Sequence, residues 1–330
     1  MASCEVVPDL RRAAGKIVNQ EPRRVAIMAR QDGDGGSDPA SNLPEVRAVS
    51  SLAEFRECIQ QQTPCVYKQG PLFSFQALFN EAWLRKHAGQ SAVSFRTSPT
   101  GKFVDPSDGL LKIASSLSSR RIPLSEFLDQ QEPRTMLSGT DTYVFTKGAV
   151  VEEWSALWEH AKDVVHENGH EHALIPEAML STIGFWMSRD GIQSMTHYDD
   201  SLANNLNFQI KGRKEILMFP PDDWKHLKTF KAMSMQPFSF FDDIKQGRLG
   251  TAQQQRCQPL RVELNEGDVL FIPSTWFHFV EHVDRLNINL TFWFKTGLST
   301  NEIEKPKQSL RNILIPFKLA TAYLLAALKS

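Results

Sequence analysis

Between residues 46 and 179 apolar positions recur at helical spacing in some stretches and alternate in others. SLAEFRECIQQ from Ser51, FSFQALFNEAWLRKHAG from Phe73, IPLSEFLDQ from Ile122 and VEEWSALWEHAKDVV from Val151 carry apolar side chains three and four apart, which predicts amphipathic helices. TPCVYKQG, SAVSFRTSP and TYVFTKG are short β-rich runs between them and read as strands. After residue 180 the texture changes. STIGFWMSR, LNFQIKG, KEILMFPP, RVELNEG, DVLFIPS and INLTFWFK follow one another, punctuated by Gly, Pro and Asn. Short strands at regular intervals with turn signals predict a mainly β sandwich or barrel with flanking helices. Lys211-Gly212 reads as a hairpin turn joining LNFQIKG to KEILMFPP.

The two ends differ from this body. Residues 1–45 lack a sustained apolar period and end in a Gly/Asp/Ser/Pro cluster, so they read as a flexible leader; Glu5, Asp9 and Glu21 do not suit a transit peptide. Residues 299–330 end in the most apolar stretch of the chain, interrupted by Pro316 and Lys318 and shorter than the roughly 20 residues a bilayer span needs. That stretch, 309–329, is expected to pack as a helix on its own domain or on a second subunit, as a homodimer contact. The divisions expected are thus a leader (1–45), an α/β part (46–179), a β core (180–298) and a C-terminal helical segment (299–330).

Composition narrows the function little. With 37 basic against 38 acidic residues there is no overall charge to hold nucleic acid or an anionic membrane, and 41% hydrophobic residues suffice for a core in a 330-residue chain. Cys4, Cys58, Cys65 and Cys257 form no CxxC pair, against both a disulfide scaffold and a thiolate zinc site. A reducing, intracellular compartment, cytoplasmic or nuclear, is expected.

The chemistry sits in THYDDSLANNLNFQIKG, residues 196–212. On a strand, residues two apart share a face, so His197 and Asp199 can offer an imidazole nitrogen and a carboxylate oxygen to one point. In NEGDVLFIPSTWFHFVEHV, Gly267-Asp268 read as a turn, DVLFIP as a buried strand, and His278, at the start of another strand, as the third ligand. His282 competes for that role but reads rather as capping or pairing at the next strand's edge. Two imidazoles and one carboxylate form the facial triad of non-haem Fe(II) oxygen chemistry. HENGHEH, with His166, His170 and His172, reads as a solvated turn, and His87 and His226 as surface residues. Trp154 and Trp158 read as core.

Taken together, THYD, N-L-x-x-Q-x-x-G-x-K, FPP and GDVLFIPxxWxH resemble the JmjC-type, cupin-fold Fe(II)/2-oxoglutarate oxygenases, and within them the asparaginyl hydroxylase, wybutosine-tRNA and small-heat-shock-protein-associated branches. The interval from His197 to Gly212 is one or two residues longer than in those relatives. The resemblance implies a double-stranded β-helix (jelly-roll) core over 180–298, iron held by His197, Asp199 and His278, and 2-oxoglutarate and O₂ as cosubstrates. It also implies Lys214 as the cation for the far carboxylate of 2-oxoglutarate, with Tyr143, Ser194, Asn205 and Thr291 as further cosubstrate contacts. The pattern of the strand agrees: Asn205 and Gln209 share one face while Leu206, Phe208 and Ile210 share the other, so the amides can line a polar cavity.

The substrate is less legible. Residues 222–258 interrupt the β run and are rich in Phe and Met, which suits a polypeptide better than a phosphate backbone. A protein side-chain hydroxylase is therefore expected, with an RNA-nucleoside or small-molecule oxygenase as the alternative. A lysine demethylase and a non-catalytic cupin-like binding protein are further alternatives.

Overall fold

A computed structural model describes residues 43–98, 101–102, 120–130, 135–137, 143–146, 148–165, 173–199, 203–227 and 256–295. The leader, the histidines of HENGHEH, most of 222–258 and the C-terminal segment 309–329 lie outside the described residues. The strands are β1 (Arg47–Val49), β2 (Cys65–Tyr67), β3 (Ala92–Thr97), β4 (Arg120–Pro123), β5 (Thr135–Leu137), β6 (Tyr143–Thr146) and β7 (Ala149–Val150). They continue with β8 (Leu180–Arg189), β9 (Gln193–His197), β10 (Asn204–Lys211), β11 (Lys214–Phe219), β12 (Leu260–Leu264), β13 (Val269–Ile272), β14 (Phe277–His282) and β15 (Leu286–Phe294).

From β8 onward the chain alternates between two facing sheets. One is ordered β1-β2-β13-β10-β15-β8-β5-β3-β4, with β6 and β7 attached through β8; the other is ordered β12-β11-β14-β9. This alternation, with β11 and β12 adjacent in the smaller sheet, is a jelly-roll, the double-stranded β-helix of the cupins. It corrects one expectation. Lys211-Gly212 does not close a hairpin, because β10 bonds to β13 and β15 while β11 bonds to β12 and β14. The turn carries the chain from one sheet to the other. Gly212 has φ +75°, and a Cβ there would lie 2.3 Å from the Leu286 carbonyl oxygen, so the corner requires glycine.

Strand alternation sorts the side chains. Leu206, Phe208 and Ile210 of β10 join Phe185, Met187, Ile288, Leu290 and Phe292 in an apolar layer on the outside of the larger sheet. The helices cover that layer: α1 (Leu52–Gln60), α2 (Ser74–Leu78), α3 (Glu81–Ala88), α4 (Leu124–Asp129) and α5 (Ser155–Ala161). Phe208 meets Phe73 and Phe75 at ring-centroid distances of 5.7 and 5.3 Å. Trp154 packs on Phe185 and Trp158 on Phe145, the core role the sequence predicts. The single helix expected over 73–89 is two: Asn80 restarts it, its side chain accepting from Trp83 N at 3.0 Å as an N-cap. Between the sheets, Val66, Leu270 and Ile272 face Ile216, Met218, Val262 and Leu264. Among the described residues no helix is long and apolar enough to cross a membrane.

Candidate metal centre and the barrel interior

His197 is the last residue of β9, and Asp199 follows just beyond the strand end. Antiparallel pairing of β9 with β14 sets His197 directly opposite His278, their rings 4.4 Å apart. Ligand-capable atoms of His197, Asp199 and His278 all lie within 4.8 Å of one another. Nε2 of His278 is 3.9 Å from Oδ1 of Asp199.

That contact is not an ion pair at neutral pH. Burial, and then the neighbouring His197, push the His278 imidazole well below the usual histidine range, so the ring is neutral. Neutral imidazole is the metal-binding form. Its Nδ1 lies 3.2 Å from the Trp276 carbonyl; donation there leaves the Nε2 lone pair for the centre. Asn205 Nδ2 donates to Asp199 Oδ2 at 2.8 Å, which orients the carboxylate with Oδ1 toward the histidines. The loop entering β14 is held from β10, where Asn204 Oδ1 accepts from Ser274 N at 2.8 Å. Two imidazoles, that of His278 held neutral, and one oriented carboxylate fit a divalent first-row metal such as iron.

Deeper in the barrel the other predicted residues are found at different distances from this cluster. Lys214 is 3% exposed, and its Nζ donates to Asn289 Oδ1 at 2.6 Å. Desolvation alone pushes its ammonium down to about 7. Asn289 Nδ2 donates to Thr291 Oγ1 at 3.1 Å, so Thr291 is tied to Lys214 through one amide. Ser194 Oγ accepts from Val280 N at 3.1 Å and is not brought to Lys214 by any such bond. Tyr143 pairs through its backbone with Gly184 of β8; its side chain lies outside the described residues. Asn205 is bonded to Asp199 of the His-Asp-His cluster, not to Lys214.

Three amide oxygens on this inner face, Asn205 Oδ1, Asn207 Oδ1 and Gln209 Oε1, are buried without a hydrogen-bond partner among the described residues. Orphaned acceptors of this kind cost about 1–3 kcal/mol each in a dry core, so their clustering marks a cavity built for polar contents. Sequence reasoning missed Asn287 and Asn289. The signal was available: NINLT places polar side chains at every second position, the mark of an inward polar face. His282, the competing ligand, ends β14 and does not join the metal-ligand cluster. It is buried on β14, opposite Lys214 of β11, with Nδ1 2.5 Å from Ser188 Oγ. His87 is exposed and stacks on Trp83, as expected of a surface residue.

Comparison with known proteins agrees with this architecture. The chain belongs to the cupin-like domain family, which matches residues 51–300. It is 30% identical over 125 residues to lysine-specific demethylase JMJ31 of Arabidopsis thaliana, covering 37% of this chain and 22% of that protein. It is 22% identical over 280 residues to HSPB1-associated protein 1 of Bos taurus, covering 82% of this chain and 55% of that one. With tRNA wybutosine-synthesizing protein 5 of Danio rerio it shares 25% identity over 243 residues, 72% of this chain and 70% of the other. The chain thus spans only 22% and 55% of the first two relatives. The JmjC-type resemblance read from the motifs is the relationship found.

Proposed function

We propose that this chain is an Fe(II)- and 2-oxoglutarate-dependent dioxygenase that hydroxylates a side chain of a polypeptide. The observation that carries the reading is Lys214: an ammonium buried in the same barrel as the His-Asp-His cluster, with no carboxylate partner among the described residues. A buried cation without a counter-ion is costly, and an anionic ligand removes that cost. Lys214 lies opposite His282, four residues along β14 from His278. Four strand residues span roughly 13 Å, a gap that the lysine side chain and a five-carbon diacid fill together.

Iron bound by His197, Asp199 and His278 would supply dioxygen activation coupled to decarboxylation of 2-oxoglutarate to succinate and CO₂. The chain's own residues position the reactants. Lys214 neutralises the far carboxylate, and Asn289 and Thr291 hold the lysine in place. Asn205 and the Trp276 carbonyl fix the orientations of Asp199 and His278. Ile216, Met218 and Val280 line the interior between the two ends and exclude water. The Phe- and Met-rich stretch over 222–258 and the balanced charge of the chain support a polypeptide as the hydroxylated substrate.

The test is turnover of 2-oxoglutarate to succinate by the purified chain with Fe(II), followed by mass spectrometry of cell-extract peptides and RNA for a gain of about 16 Da. His197→Ala, Asp199→Ala and His278→Ala are each expected to lose metal and turnover, and full turnover by His278→Ala would overturn the assignment. Hydroxylated RNA nucleosides would replace the polypeptide with RNA, the reading that the tRNA-modifying relative favours.

A further inference from the structure

Two side-chain struts cross the interior from the smaller sheet to the larger. Lys214 of β11 reaches Asn289 of β15, and His282 of β14 reaches Ser188 of β8. Their origins, Lys214 and His282, are directly opposed partners in the β11–β14 ladder. We propose that His282, aimed by Ser188, is a second binding side chain for the far carboxylate of the cosubstrate, and that with Lys214 it selects dicarboxylates over monocarboxylates. The inference rests on the cosubstrate reading given above.

Three observations carry it. Nδ1 of His282 is engaged by Ser188; with the serine hydroxyl donating, the ring is held as the tautomer that bears hydrogen on Nε2. Nε2 makes no hydrogen bond among the described residues, and His282 as a whole is 9% exposed and stands opposite Lys214 in the ladder. Burial and the facing ammonium both push His282 well below the ordinary histidine range, which keeps it neutral. A carboxylate offers about four acceptor sites, more than one ammonium already bonded to Asn289 can fill. A neutral N–H donor supplies the next bond without adding charge: one ammonium and one carboxylate cancel, whereas a second cation would leave a surplus in a buried site. A purely structural strut would need only the Ser188 bond, and its loss would leave the discrimination between the two acids as it is in wild type.

The experiment uses the full chain loaded with Mn(II) and measures, by titration calorimetry, the binding of 2-oxoglutarate and of 2-oxobutyrate, which has the same 2-oxo acid head but no far carboxylate. His282→Leu is expected to weaken 2-oxoglutarate by roughly 10- to 100-fold, the range for one hydrogen bond to a charged group, with Mn(II) and 2-oxobutyrate affinity changed by less than about 2-fold. His282→Gln, which keeps a donor, should recover most of the loss, and Ser188→Ala, which frees the ring, should fall between. Unchanged 2-oxoglutarate binding in His282→Leu overturns the proposal, as does an equal loss of both acids. Should His282→Leu fail to fold, Ser188→Ala decides: a loss confined to the dicarboxylate supports the role, and no such loss overturns it. A wild-type chain that takes up Mn(II) yet binds neither acid would remove the cosubstrate reading and this role together. A wild-type chain that discriminates while the variants match it removes the His282 role alone.

Discussion

The amide of Asn205 and the carboxylate of Asp199 are hydrogen-bonded at 2.8 Å, joining an inward-facing position of β10 to the loop that follows β9. The bond crosses from the larger sheet to the ligand-bearing edge of the smaller one. Asp199 is partly exposed just past a strand end, where nothing in a ladder holds it, so this amide is what orients it. Asn205→Ala is expected to lower Mn(II) affinity by roughly 10- to 100-fold, the usual effect of removing an outer partner of a metal ligand, without altering thermal stability of the metal-free chain by more than about 1 kcal/mol. Calorimetric metal titration checks the first, and thermal unfolding the second. Equal metal affinity in the variant would leave Asp199 positioned by its loop alone.

Lys214 makes stability depend on pH in a stated direction. Its native value, about 7, lies below the unfolded value near 10.5, so between those values the unfolded chain binds more protons than the native one. Stability of the ligand-free protein from this group therefore rises with pH from about 7 toward 10, with a slope of at most about 1.4 kcal/mol per pH unit. Lys214→Met should be more stable than wild type near pH 6 and should lack the rise. Thermal melts of both chains from pH 6 to 10 are the measurement; parallel curves would show that the ammonium is solvated.

The same group sets the pH dependence of anion binding. Affinity for 2-oxoglutarate should be greatest below pH 7 and fall as Lys214 loses its proton, by up to about tenfold per pH unit. The Lys214→Met protein should bind weakly at every pH. Binding titrations with the Mn(II)-loaded chain at pH 6.5, 7.5 and 8.5, values chosen to bracket the shifted lysine, check the trend; a pH-independent affinity in wild type would remove Lys214 from the anion site.

Gly184 is the hinge of an aromatic pair. Trp186 and Trp293 meet edge to face at 6.1 Å, and a Cβ on Gly184 would stand 2.7 Å from Trp293 Cζ3 and 2.8 Å from Trp186 Nε1. Gly184→Val must displace one or both rings, and overpacking of this kind costs about 1–3 kcal/mol. Urea unfolding followed by tryptophan fluorescence would report the loss, together with an altered native emission. An unchanged midpoint and spectrum would mean that both rings have room to retreat.

Much of the β core was legible because its signals are local. The period-two pattern of β10, the Gly267-Asp268 turn before β13, and His197-x-Asp199 each depend on neighbours in sequence. Gly267 does adopt φ +90°, and Asp268 anchors its turn through Lys68 Nζ at 2.7 Å. Sheet membership was not legible. A glycine corner between two strands has the same sequence signature whether the strands pair or part, and only the long-range ladders separate the cases for Gly212. The break at Asn80 was hidden because Phe79 keeps the apolar period across it. The surroundings of His282 were hidden for a related reason: they are made by β8 and β11, distant in the chain and adjacent in the barrel. Asn289 holds Lys214 from 75 residues away, and no spacing rule links them.

The last strand described, β15, does not lie at a border of its sheet; it is inserted between β10 and β8, pairing with both along almost their whole lengths. A chain emerging from the ribosome therefore cannot seal its larger sheet until Phe294 has left the exit tunnel. Until then β8 and β10 each present an open row of amide and carbonyl groups backed by phenylalanines, the kind of surface that invites pairing with another nascent chain. Synthesis of this protein thus passes through an interval in which both strand edges are uncovered, and truncations ending before β15 are expected in the insoluble fraction.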